Sequence, residues 1–113
     1  MRRDEAYLLD MLLAARDALS FLHGLSPEQF AASRIHQQAV TKALETIGEA
    51  AGRISGSTRA AHPEIPWGEI TGMRHRLVHD YFEIDLDRVG ETVQVDLPPL
   101  IAKLEPLIPP EER

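Results

Sequence analysis

Residues 34–55 read RIHQQAVTKALETIGEAAGRIS, with apolar residues at Ile35, Ala39, Ala43, Ile47, Ala50 and Ile54. Steps of three and four return to one side of an α-helix, whose turn takes about 3.6 residues. The spacing therefore predicts a long helix over 34–55 with those six residues turned inward. Gly48 and Gly52 sit four apart within it. Each weakens a helix by roughly 1 kcal/mol relative to Ala. Close approach by a neighbouring helix is the compensation expected for them, in preference to a ligand-binding role.

The same periodicity extends in both directions. Leu8, Leu12, Ala15, Leu19 and Leu22 form a stripe that predicts a helix from about residue 4 to 23, stopped at Gly24. Ser26-Pro27-Glu28-Gln29 reads as an N-cap, a proline at the first helical position and a capping-box glutamine. Downstream, GSTRAAHPEIP (56–66) is a connection with room for a turn of helix, and Pro66 suits the start of a third helix ending near residue 80. FEIDLDR (82–88) reads as a link in which Asp85 caps a fourth helix running through Val89, Val93 and Leu97. Pro98 and Pro99 must kink or restart that helix, because each lacks a backbone donor and crowds the preceding turn. Leu100, Ile101 and Leu104 continue the pattern, and PPEER (109–113) reads as a frayed tail. No alternating strand pattern, repeat or second domain stands out. The expected fold is all-α, a single domain over 1–113 built as an up-down bundle of four to five helices.

Composition narrows the function classes. Of 113 residues, 43% are hydrophobic and 27% charged, a globular balance. A chain this short buries only about two-thirds of its unfolded surface, so a second copy would reinforce a thin core. The absence of cysteine excludes disulfides and thiolate metal sites. Asp4, Glu5, Asp10, Arg16 and Asp17 interrupt the N-terminal apolar residues, which argues against a signal peptide or membrane span and for a soluble, cytoplasmic protein. A net charge of −6 excludes coating nucleic acid by bulk electrostatics. Any contact with RNA or DNA must use a local cationic spot.

Such a spot exists. MRHRLVHDYF (73–82) gathers Arg74, His75, Arg76, His79, Asp80 and Tyr81. On an ideal helix Gly68, Gly72, His75 and His79 fall within about 60° of one another, with Ile70, Met73 and Leu77 facing a core on the other side. Arg74 points roughly 140° away from His79, so one helix does not aim both at the same atom.

Three readings compete at this point. Histidines at i and i+4 can share a metal, but HRLVH carries Arg76 where a zinc hydrolase would carry glutamate, and only Asp80 and His62 are conceivable further ligands. A structural reading makes His79 and Asp80 helix-end decoration and Arg76–Asp80 a surface pair. A third reading is phosphoryl transfer without a metal: His79 exchanges a proton near neutral pH, and Arg74 holds a phosphate with its planar fork. Applied to RNA, the nucleophile would be the ribose 2′-OH beside the scissile phosphate, a group that DNA lacks.

Arg74-x4-His79-x-Tyr81 resembles the R-x4-H-x-Y motif of the HepT-like HEPN-domain family, toxin halves of prokaryotic toxin–antitoxin pairs. The likeness extends through ETIGEAAGRIS (45–55), HPEIPWGEITGMRHRLVHDYFEID (62–85) and ETVQVDLPPL (91–100), nearly the whole chain in order. One departure is His75, where the family most often has Asn. The resemblance implies a homodimer of helical subunits with the motifs facing each other, which would remove the geometric obstacle on a single helix. It implies a metal-independent endoribonuclease with Arg74 and His79 catalytic, no cofactor, and His75 and Arg76 supporting the phosphate. It also implies a cognate partner, a minimal nucleotidyltransferase antitoxin that transfers AMP to Tyr81. Negative charge there would compete with RNA for the surrounding cations. The rival from another class is a non-catalytic interaction or nucleotide-binding subunit of a nucleotidyltransferase complex, to which the acidic net charge lends weight. Trp67 reads as a packing anchor at a helix start rather than a base-stacking platform.

Overall fold

A computed structural model describes residues 3–77 and 83–113, and these are helical with no strand among them. Two long helices form the frame, α1 (Asp4–Leu22) and α3 (Arg34–Gly52), and their mutual packing is the most extensive between any two elements. From α1, Leu8, Met11, Leu12, Ala15, Ala18 and Leu22 are buried; from α3, Val40, Leu44, Ile47, Ala50 and Ala51 are. The alanines let the two backbones approach closely, while Asp4 and Glu5 favour the positive end of the α1 dipole. The helix stops where predicted: Gly24 adopts φ +79°, a left-handed conformation that a residue without Cβ reaches at no steric cost.

The inward stripe of α3 differs from the one expected at its N-terminal end. Ile35 is 81% exposed and Ala39 is half-buried, whereas Val40 is fully buried. Counted from Ile47 at the centre of the buried face, Ile35 lies about 120° round the helix and Ala39 about 80°, so both fall off the stripe. Among the two glycines, Gly48 meets the expectation of close approach, since a Cβ there would stand 3.1 Å from the Ile70 carbonyl oxygen. Gly52 does not: nothing lies within 4 Å of such a Cβ. It occupies the last residue of α3, where the guanidinium of Arg59 takes the carbonyls of Ala51 (3.1 Å), Gly52 (3.0 Å) and Ile54 (3.1 Å).

Short helices close the bundle. In α2 (Pro27–Ala31) the capping box is complete, with Gln29 N donating to Ser26 Oγ at 3.1 Å and Ser26 N to Gln29 Oε1 at 2.8 Å. α4 (Gly56–Ala61) supplies the helical turn expected in the connection. Its cap residue Ser55 is tied to α1 through Asp4, whose carboxylate accepts from Ser55 Oγ (2.6 Å), Ser55 N (3.1 Å) and Thr58 Oγ1 (2.6 Å). The hydroxyls of Ser55 and then Thr58, followed by the Ser55 amide, hold that carboxyl below its ordinary 3.8.

The predicted third helix is divided into α5 (Trp67–Thr71) and α6 (Met73–Leu77), with a turn at Gly72 between them. Pro66 precedes α5 as its N-cap rather than opening it. α7 (Leu86–Glu91) is capped by Asp85, whose Oδ1 accepts from Arg88 N at 3.1 Å. The proline pair restarts the next helix. Thr92–Asp96 winds as a π-helical turn, and α8 (Leu97–Leu104) begins with Pro98 and Pro99 in its first turn. Neither proline can donate to the carbonyl four residues back, and the wider turn takes up that loss. Val89, Val93, Leu97, Leu100 and Leu104 nevertheless hold one buried line against α1 and its neighbours. A 3₁₀ turn, Glu105–Leu107, follows, and Arg113 Nε donates back to the Ile108 carbonyl at 2.9 Å.

Candidate functional site

The approach to the cationic motif is anchored before the motif begins. Trp67, half-buried, donates from its indole Nε1 to the His62 carbonyl at 3.0 Å, while Ile65 is buried beneath. The indole thus acts as the expected packing anchor. Gly48 then admits the backbone of α5 against α3, and Ile70, Met73 and Leu77 plug α5 and α6 into the core. Leu77 is held further by its carbonyl, which accepts from Asp85 N at 2.8 Å. With one side of α6 so fixed, Arg74, His75 and Arg76 all face outward and are exposed.

The three cations are treated differently. Arg74 Nε lies 3.5 Å from Oε1 of Glu45, on α3, with the arginine side chain 60% exposed and the glutamate 24%. Neither Nη of Arg74 makes a hydrogen bond among the described residues. Arg76 turns the other way, its Nη2 donating to the Glu69 carbonyl at 2.7 Å. That carbonyl belongs to the last turn of α5, where helix geometry leaves acceptors without partners, so Arg76 closes the break at Gly72. His75 is exposed on α6. His79, Asp80 and Tyr81 lie outside the described residues, as does the Arg76–Asp80 pair of the structural reading. His62 is 3.4 Å from Glu64 through Nδ1, and no three His, Asp or Glu side chains among the described residues gather as a metal site would need.

The division at Gly72 also changes the helical-wheel argument. Angles counted from Gly68 to His75 assumed one continuous helix and do not carry across the turn at Gly72. Sequence reasoning missed Glu45. Its one available signal was register: Glu45 stands three residues before Gly48, on the same side of α3, so the face that receives α5 and α6 carries a carboxylate. What that carboxylate would meet was a question of tertiary packing.

Chemically, an exposed guanidinium steadied through Nε can present two parallel N–H groups to an anion such as a phosphate. Comparison with known proteins agrees with that capacity. The family described as ribonuclease HepT-like matches residues 11–107. A probable ribonuclease HepT of Thermococcus cleftensis is 39% identical over 106 residues, covering 94% of this chain and 96% of its own. A Methanocaldococcus jannaschii protein named a putative RNase is 35% identical over 108 residues, 95% of this chain and 89% of that one. Another so named, from Caldanaerobacter subterraneus subsp. tengcongensis, is 30% identical over 112 residues, 99% of this chain and 100% of its own. No solved structure matches the chain. With a match spanning both the helical frame and the cationic segment, the chain belongs to the ribonuclease HepT-like family.

Proposed function

We propose that the chain is a metal-independent endoribonuclease acting as a homodimer, with Arg74 and His79 as its catalytic residues. The observation that carries the reading is the presentation of Arg74: one guanidinium, paired with Glu45 through Nε and with no hydrogen bond from either Nη to another described residue, on a segment shared with ribonuclease HepT-like proteins. His79 takes the proton of a ribose 2′-OH, the 2′-oxygen bonds to the adjacent phosphorus, and the bond from phosphorus to the next 5′-oxygen breaks. The proton returns to that departing oxygen. Arg74 offsets the charge that builds on the phosphoryl oxygens. His75 supports the phosphate from the same segment; Arg76, whose Nη2 is held on the Glu69 carbonyl, would have to leave that bond to do so. The resemblance to HepT-like proteins is the reason for invoking a twofold partner, which would answer the roughly 140° between Arg74 and His79 on an ideal helix.

The purified protein is expected to cleave RNA in EDTA, and His79→Ala to lose cleavage while keeping its helical fold. Undiminished cleavage by a folded His79→Ala protein contradicts the assignment. In this reading the protein is the toxin of a toxin–antitoxin pair. A cognate nucleotidyltransferase antitoxin silences it by bonding the Tyr81 oxygen to the α-phosphorus of ATP with release of pyrophosphate. Coexpression with such a partner should add AMP mass that Tyr81→Phe abolishes; adducts elsewhere remove Tyr81 from the site. The second reading, a non-catalytic nucleotide-binding or interaction subunit, is favoured by the net charge of −6, which repels long RNA away from the cationic spot. Failure of the isolated protein to cut any RNA selects it.

A further inference from the structure

We infer that Glu45 is the positioning residue of Arg74, holding the guanidinium by its Nε edge so that the two Nη groups are presented together to the scissile phosphate. This role rests on the endoribonuclease reading above. Three features lead to it. First, the contact joins the long frame of the bundle to the cationic segment: Glu45 projects from the nineteen-residue α3, Arg74 from α6. Second, the spacing between those elements is set by backbone rather than by side chains, because Gly48, three residues from Glu45, brings α3 to within 3.1 Å, measured from an added Cβ, of the Ile70 carbonyl. A carboxylate at position 45 is therefore held at a fixed distance from the segment that follows Ile70. Third, the atom engaged is Nε. A pairing made to stabilise the fold would be served equally by the Nη groups, whereas pairing through Nε leaves the bidentate edge for an anion.

The exposure of the pair supports function over fold. Arg74 is 60% exposed, and surface ion pairs in that setting contribute little to stability. What the contact supplies is restriction of a long side chain that would otherwise sample many rotamers. The glutamate also places a negative charge beside the phosphate-binding edge, so removing it should not weaken RNA binding. That gives a signature opposite to the loss of a phosphate ligand.

The test combines steady-state cleavage of a fluorogenic RNA with the side-chain Nε–H signal of Arg74 in a nitrogen–proton correlation spectrum, assigned by its loss in Arg74→Lys. Glu45→Ala should lower kcat by roughly tenfold to a hundredfold, the scale of a displacement of about 1 Å, with KM unchanged or lower. The Arg74 Nε–H signal should shift and broaden. Glu45→Gln keeps an acceptor oxygen and should retain the signal and an intermediate kcat. The inference is overturned if wild type cleaves RNA but both variants match its kcat, or if either raises KM with kcat intact. A wild-type protein that shows the Arg74–Glu45 signal but cuts no RNA overturns the endoribonuclease reading itself, and with it this role.

Discussion

The α1–α3 pair and the α5–α6 segment are both helical, yet they are held by different means. α1 and α3 each run nineteen residues, and their buried stripes face each other along most of that length. α5 has five residues and is separated from α6 by a turn at Gly72, and the two depend on Ile70, Met73 and Leu77 together with the tryptophan anchor ahead of them. α5 would not persist alone, since a helix of that length is unstable in water. The exposed cations follow directly on that short helix, and the long frame meets their segment at Gly48 and Glu45. Chemistry placed on a short segment borrows its geometry from the long one.

Disturbing the frame should therefore produce the larger stability effects. Ile47 is fully buried at the centre of α3. Ile47→Ala should cost about 2–5 kcal/mol by transfer and cavity terms, measured by denaturant unfolding. A loss below about 1 kcal/mol would mean that the stripe of α3 does not carry the core.

Next in size is Gly48→Ala, which separates frame from motif. Helix propensity alone predicts a gain of roughly 1 kcal/mol. The Ile70 backbone carbonyl stands in the way, however, at 3.1 Å from the new Cβ, and a backbone atom yields less readily than a side chain. The expected outcome is no gain or a net loss of stability, with impaired RNA cleavage as α6 moves relative to Glu45. Gly52→Ala is its control: with nothing within 4 Å, it should gain up to about 1 kcal/mol and leave cleavage unchanged. Equal responses at the two positions would remove the close approach as the cause.

The smallest effect is at Asp4, which joins α1 to the cap of α4. Its folded pKa is depressed, first by the Ser55 hydroxyl and then by Thr58, so its stabilisation is present above the ordinary 3.8 and is lost as pH falls through the lower folded value. Asp4→Asn should accordingly have the lower Tm near neutral pH, and the two melting curves should converge as pH drops below 3.8. A Tm gap that stays constant with pH would contradict a charge-dependent contribution.

These contrasts follow what was legible in the sequence. Local signals were read well because local chemistry determines them: the left-handed Gly24, the Ser26–Gln29 box, the Asp85 cap and the proline restart each involve residues within a few positions. Ile35 misled because an apolar residue at the end of a helix can match a spacing pattern while sitting on its edge. Gly72 was placed on one continuous helical wheel, where the structure has a turn across which Arg76 donates to the Glu69 carbonyl. The Arg74–Glu45 contact spans 29 positions and required the packing of α5 on α3 to be known. Arg74 was singled out by its motif; Glu45, which the structure sets beside it, was not.

The central claim is that Arg74 and His79 complete one site across a twofold axis. It is tested most directly by coexpressing Arg74→Ala and His79→Ala chains under different tags and purifying the mixed dimer. Each parent homodimer should be inactive. In the mixed dimer one cleft regains an intact arginine from one subunit and an intact histidine from the other, and cleavage of RNA should return. A mixed dimer as inactive as its parents would place both residues within a single subunit's site and contradict the account.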